Sequence, residues 1–228
     1  MLELFIANKN YSSWSLRPWL LLRQLAIPFT ERLVPFAADA TWTTYRAFSP
    51  TGRVPCLRDG DTVVWDSLAI VEYVAETTAA VWPGDRRARA WARSAAAEMH
   101  SGLGALRSSC SMSCGQRVTL RAPSAALARD VARVDELWTD GLERHGGPFL
   151  AGAAFTAVDA FFAPVAFRWQ TYGLTLSEAA TGYARRLLAL PAMQAWYDAA
   201  LAERWRDAGH DDEIRAAGEV TADLRAAP

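Results

Sequence analysis

Asn10-Tyr11-Ser12-Ser13-Trp14-Ser15-Leu16-Arg17-Pro18-Trp19 lies between a short strand-like run, Leu2 to Ala7, and an apolar run, Trp19 to Ala26. Strand, hydroxyl-rich turn and helix in that order aim backbone N–H groups and serine hydroxyls at one point. A helix N-terminus adds unsatisfied donors and a partial positive charge. Such a point holds anions, and a thiolate is an anion.

Working outward, residues 1 to about 77 alternate strand and helix signals. Leu2–Ala7 reads as a buried strand. Ser15–Leu25 reads as a helix with Ser15 at its N-cap, and Pro18 is tolerated because it falls in the first turn. Glu31–Phe36 is a second strand, and Ala40–Phe48 a short irregular or helical stretch. Val54–Arg58 and Thr62–Trp65 flank Asp59-Gly60-Asp61, a hairpin signal. Ser67–Glu76 returns as a helix capped by Ser67. The order is βαβ, then ββα.

Trp82-Pro83-Gly84-Asp85 breaks this texture and reads as a linker. The expected division is an α/β domain over residues 1–78, a linker over 79–88, and an all-α domain over 89–228. In the last, helices are expected over Arg86–Leu106, Ser124–Arg144, Thr156–Thr171, Ser177–Leu190 and Pro191–Arg206. The tail from Ala208 is charged and Ala-rich, a composition that leaves its order open.

The chain has 228 residues, of which 51% are hydrophobic, enough for a substantial core. Its formal charge of -1 provides no field for gathering nucleic acid or acidic membrane, and neither is expected as a partner. Three cysteines, Cys56, Cys110 and Cys114, form no disulfide framework. Cys110 and Cys114 are spaced one helical turn apart, but no His or Cys pair completes a metal site, so they read as small apolar fillers and no metal is expected. No signal peptide and no apolar run of spanning length are visible, which points to a cytoplasmic protein.

Three further constellations carry chemistry. Val54-Pro55 places a proline in a predicted strand, hence at an edge or as a cis peptide offering the Val54 backbone to an extended ligand. Asp66-Ser67 opens a helix whose N-terminus suits a carboxylate while Asp66 suits an ammonium, the two groups of an α-amino acid end. A plain helix cap with an acidic neighbour is the alternative. Thr156-Ala157-Val158-Asp159 is a capping-box signal for a buried helix.

Taken together, the serine turn, Gly52-Arg53-Val54-Pro55-Cys56-Leu57, Trp65-Asp66-Ser67-Leu68-Ala69-Ile70, the break near 83 and Phe155-Thr156-Ala157-Val158-Asp159 resemble the cytosolic glutathione transferase family over nearly the whole chain. The resemblance is to the serine-type classes, zeta and theta among them. It implies a thioredoxin-like N-terminal domain, a C-terminal helical-bundle domain, a homodimer, glutathione as co-substrate, and detoxification of a small electrophile.

It also implies residue roles. Zeta enzymes read Ser-Ser-Cys-Ser-Trp-Arg at the first helix, which puts Ser12 at the catalytic position, with Ser13 as runner-up and Tyr11 a wall of the site. Lowering a thiol's value by about two units takes roughly 2.7 kcal/mol, within reach of one charge-assisted hydrogen bond plus a helix terminus. Val54, beside Pro55, would pair with the cysteinyl backbone. Asp66 and Ser67 would take the γ-glutamyl end, and Arg53 the glycyl carboxylate or the backbone. A second-substrate pocket would draw on Tyr11, Trp14, Met99, His100, Leu103, Arg107 and Arg168. Zeta isomerases of maleylacetoacetate use an arginine where this chain has Thr171, and Arg168 lies three residues earlier. The absence of any Cys before Cys56 excludes the mixed-disulfide chemistry of the cysteine-type classes at this turn. A transferase is the leading expectation, with a glutathione-dependent isomerase or dehalogenase-like enzyme, or a non-catalytic binding protein of the same fold, as alternatives.

Overall fold

The computed structural model describes residues 1–36 and 41–227. The N-terminal part contains β1 (Leu2–Ile6), α1 (Ser13–Gln24), β2 (Phe29–Leu33), α2 (Thr41–Arg46), β3 (Cys56–Asp59), β4 (Thr62–Trp65) and α3 (Ser67–Ala75). Its four strands form one mixed sheet in the order β2-β1-β3-β4. β1 pairs in parallel with β2 and antiparallel with β3, and β3 with β4 antiparallel. The crossover through α1 is what a parallel β1–β2 pair requires. This is the thioredoxin-like arrangement expected from βαβ-ββα. Ala40, the first residue of the expected 40–48 stretch, lies outside the described residues.

Beyond a short 3-10 turn at Ala79–Val81 come α4 (Arg86–Ser101), α5 (Gly104–Ser109), β5 (Gln116–Leu120), α6 (Ala125–His145), α7 (Ala157–Tyr172), α8 (Glu178–Leu188), α9 (Pro191–Ala202), α10 (Ala208–Ala217) and β6 (Gly218–Asp223). α7 is the centre of this part: all but two of its sixteen residues are buried, and it packs against α1, α4 and α8. Its start is fixed by the expected capping box. Asp159 accepts from the backbone N–H of Thr156 (2.9 Å) and of Leu150 (3.0 Å) and from the Tyr183 hydroxyl (2.8 Å).

Two expectations need correction. The 86–106 helix is two helices, because Leu103 adopts the left-handed region at φ 53 and breaks the ladder after Gly102. The C-terminal part is not purely helical, since β5 and β6 form an antiparallel pair. β6 belongs to the tail whose order composition left open; strand pairing satisfies its backbone, which an Ala-rich stretch read alone does not disclose.

Residues 110–114 are irregular and buried, and Ser111 and Met112 line the cleft described below. Their carbonyls are met by polar side chains of α7. Arg168 Nε donates to Cys110 O (2.7 Å), the Tyr172 hydroxyl to Ser111 O (2.6 Å), and the Thr171 hydroxyl to Ser113 O (2.5 Å). Cys110 and Cys114 are free and buried, and burial pushes the Cys110 thiol up to about 11.

Candidate functional site

The turn between β1 and α1 is held from the far side of the molecule. Backbone N–H groups of Lys9 and Asn10 donate to the Glu203 carboxylate (2.7 and 3.3 Å). Trp196 Nε1 donates to Lys9 O (2.9 Å), and Cys114 N to Asn10 O (3.2 Å). With its edges clamped, the turn's remaining hydroxyls face a cleft. Ser12 occupies the N-cap position of α1 and Ser13 is its first residue. Ser15 is therefore inside the helix and not its N-cap, because the helix begins two residues earlier than the apolar pattern indicated.

Ser15 still has a polar role. Its Oγ accepts from Ala7 N–H (3.3 Å) and lies 2.7 Å from Ser12 Oγ, which donates to it. Ser13 Oγ has no protein hydrogen-bond partner among the described residues. Ser12 and Ser13 both line a cavity of about 400 Å³ with Tyr11, Trp14, Arg53, Val54, Arg107 and Arg168. A second cavity of about 640 Å³ adjoins it, sharing Trp14, Arg53 and Val54 and adding Pro55, Asp66 and Ser67. The Val54–Pro55 bond is cis, as the edge proline allowed.

Asp66, not Ser67, is the N-cap of α3: its Oδ1 accepts from Leu68 N–H at 2.8 Å. Asp66 sits at φ 75, a region costly for a residue with a Cβ. Such an outlier persists where the surrounding structure holds it, and it leaves the second oxygen, Oδ2, 3.5 Å from His100 Nε2. Burial and the charges of Arg17 and Arg107 push His100 below its ordinary value, against the Asp66 carboxylate, which raises it. Ser67 is fully buried and accepts from Arg17 Nη1 at 3.3 Å.

Of the residues named for a second-substrate pocket, Tyr11, Trp14, Arg107 and Arg168 line the first cavity. Met99 and Leu103 turn into the core, and His100 stands behind Trp14, edge-on at 5.0 Å. Tyr11 contributes its ring and not its hydroxyl, which donates to Asp211 Oδ1 (3.0 Å). Thr171 spends its hydroxyl on Ser113 O, while Arg168 reaches the cleft wall.

Sequence reasoning missed two groups. Arg17 is 1% exposed, stacked on Trp14 and Phe161, and its buried Nε has no partner. Burial first, then the charges of Arg168 and Arg107, push it down to about 9, which still leaves it protonated at neutral pH. Its place in the Leu16-Arg17-Pro18 run gave no sign that it would be enclosed. His210, from α10, also lines the first cavity; the only signal available was Asp207 three residues before it, a helix cap.

The cleft is strongly polarised. Arg53, Arg107 and Arg168 line the first cavity, and no carboxylate does so among the described residues. None of the three arginines pairs with an acidic group there. The arrangement can hold anionic groups of a ligand and stabilise negative charge on sulfur or on a substrate oxygen.

Comparison with known proteins places this geometry in a family. Residues 11–77 match the family model described as the glutathione S-transferase N-terminal domain, and residues 122–199 that of the C-terminal domain. Among curated proteins, a 55-residue stretch is 42% identical to dichloromethane dehalogenase of Methylorubrum extorquens, spanning 23% of this chain and 19% of that protein. Among solved structures, a glutathione transferase homolog from Burkholderia, with bound glutathione, superposes with a TM-score of 0.65 at 21% identity, over 87% of this chain and 97% of that one. A theta-class enzyme from Xanthomonas axonopodis pv. citri, also with glutathione bound, gives 0.63 at 24% identity over 86% and 96%. These structures share the fold. Matches to both domain models, in order along one chain, make this protein a member of the glutathione S-transferase family.

Proposed function

We propose that the protein binds glutathione across Val54, Asp66 and Ser67, raises the thiolate fraction of its thiol through Ser12, and directs the thiolate at a small electrophile in the arginine-lined cavity. The observation that carries this reading is the hydroxyl relay at the start of α1. Ala7 N–H donates into Ser15 Oγ, and Ser15 lies 2.7 Å from Ser12. Turning the shared proton round, so that Ser15 donates to Ser12, frees the Ser12 proton for sulfur. Each bond in such a chain polarises the next, and the α1 N-terminus adds its partial charge.

Ser13, with its unpartnered hydroxyl, is the alternative donor. Asp66 would receive the γ-glutamyl ammonium, and the α3 N-terminus with Ser67 its carboxylate. Arg53 would face the glycyl end. The uncompensated charge of Arg107 and Arg168 fits an electrophile that bears or develops negative charge. The short match to dichloromethane dehalogenase makes halide displacement the first chemistry to assay, ahead of isomerisation, for which the zeta position is occupied by Thr171. A cytoplasmic homodimer completes this reading.

Calorimetric titration with glutathione tests the binding half: absence of heat at millimolar ligand would sink the reading. Ultraviolet titration of the bound thiolate tests the serine. Ser12→Ala is expected to raise the bound thiol's pKa and lower kcat/KM by roughly 10- to 100-fold, the effect of one charge-assisted hydrogen bond. The same loss in Ser13→Ala with none in Ser12→Ala would move the role to Ser13.

A further inference from the structure

His210 has a clamped geometry that its packing does not require. Its ring stacks on Tyr11 (centroids 5.1 Å apart, planes at 25°) and on Phe36 (5.0 Å, 25°). Its Nδ1 lies 2.7 Å from Asp207 Oδ1, which also accepts the His210 backbone N–H at 3.0 Å as the N-cap of α10. One carboxylate oxygen therefore fixes both the backbone and the ring. With Nδ1 engaged by the carboxylate, Nε2 is the ring nitrogen left for a ligand. No described protein group hydrogen-bonds Nε2. The residue lines the cavity that also holds Ser12, Ser13 and Arg107, and the side chain is 30% exposed, open to exchange with water.

We infer that His210, held by Asp207, is the proton donor to the second substrate when glutathione adds to an activated carbon–carbon double bond. This rests on the proposed glutathione chemistry at Ser12. The thiol proton leaves to solvent as the thiolate forms. The thiolate pair makes the S–C bond at the β-carbon, and the C=C pair moves to the α-carbon and its carbonyl as an enolate. Imidazolium Nε2–H then delivers a proton to the α-carbon, and the neutral imidazole regains one from water. A displacement of halide needs no such proton, because the leaving group departs with its own electron pair. The two reaction types therefore separate a proton donor from a residue that only shapes the wall.

The test compares trans-4-phenyl-3-buten-2-one, an acceptor for addition, with 1-chloro-2,4-dinitrobenzene, a displacement substrate, in the wild-type chain and in His210→Gln. Glutathione affinity is measured alongside by calorimetry. His210→Gln is expected to lower kcat for the enone on the order of 100-fold, as for loss of a general acid. KM for the enone, glutathione affinity and turnover of the dinitrobenzene should change by no more than about threefold. Asp207→Asn keeps a cap acceptor while removing the charge at Nδ1. It should show a smaller loss confined to the enone, and it tests the inference should His210→Gln not fold. Equal losses on both substrates in either folded variant, or full enone turnover in His210→Gln, would overturn the inference. So would a wild-type chain that binds glutathione and displaces chloride but does not turn over the enone. A wild-type chain that binds no glutathione would overturn the proposed function itself, and the inference with it.

Discussion

Arg225 Nη1 donates to the Tyr11 hydroxyl at 2.6 Å and to Asp211 Oδ1 at 2.8 Å, and Tyr11 donates to the same carboxylate oxygen at 3.0 Å. Two residues 214 positions apart thus share one buried network. It turns the Tyr11 oxygen away from the cleft and leaves only the ring as wall. Burial, the largest influence, together with Asp211 holds the phenol far above its ordinary value, against the opposing charge of Arg225. A tyrosine in that state is a poor donor to a thiolate.

Tyr11→Phe should accordingly leave kcat/KM for a displacement substrate within about twofold, since only the ring faces the cleft. Stability should fall by about 1 kcal/mol for the lost hydrogen bonds, because Arg225 and Asp211 remain paired with each other. Urea unfolding and steady-state kinetics read the two effects separately. A large loss of activity at unchanged stability would assign Tyr11 a catalytic role.

Arg225→Ala should cost more. The Arg225 side chain is 5% exposed and that of Asp211 12%, so truncation leaves a carboxylate enclosed without its partner. The expected loss is about 3 kcal/mol in urea unfolding. β6 should also become more sensitive to limited proteolysis, because Arg225 lies directly beneath Gly115 and ties the chain end to the turn before β5.

Arg107 donates to His100 O at 2.9 Å and otherwise faces the cleft with no acidic partner. Arg107→Gln should raise KM roughly tenfold for 4-chloro-3-nitrobenzoate, equivalent to about 1.4 kcal/mol of lost charge pairing. The neutral 4-chloro-3-nitrobenzamide should change little. Equal effects on the two would show that Arg107 acts on packing and not on charge.

Asp159 makes stability depend on pH in an unusual direction. Burial pushes its carboxyl up to about 6, against hydrogen bonds from Leu150, Thr156 and Tyr183 that favour the anion. The folded value lies above the unfolded one of about 3.9, so between these values the native state holds a proton that the unfolded chain has released. This contribution is fully present below pH ~4 and is lost as the pH rises through about 6, at most about 3 kcal/mol. Carboxylates held low, such as Glu98 and Asp140, act in the opposite sense. The readout is therefore the difference between wild type and Asp159→Asn, measured by denaturant unfolding at pH 4.5 and 7. A gap that narrows toward pH 7 is expected; a constant gap would show that Asp159 does not titrate in this range.

Much of the fold was legible along the chain because it rests on local signals. The hairpin at Asp59-Gly60-Asp61, the capping box at Thr156, and Pro191 at the start of α9 each act within a few residues. The start of α3 was misread by one residue because Asp66 and Ser67 are both good caps, and only the folded bond from Leu68 N–H to Asp66 Oδ1 decides between them. The order of the tail was not legible for a different reason. β6 is stabilised by β5, about a hundred residues earlier in the chain, and no local pattern encodes that pairing.

The same division holds at the site. By itself the sequence determined that a hydroxyl-rich turn would follow the first strand and open a helix. It also determined that an edge proline and a helix start at Asp66-Ser67 would follow in that order. Those features come from backbone propensity and short-range hydrogen bonds. Only the tertiary structure decided what each side chain of the turn does. Glu203, Trp196 and Cys114 fix the turn from the C-terminal part, Arg225 and Asp211 remove the Tyr11 hydroxyl, and α10 brings His210 to the wall. Buried polar groups must find partners wherever the fold places them, and for this turn those partners lie at the opposite end of the chain.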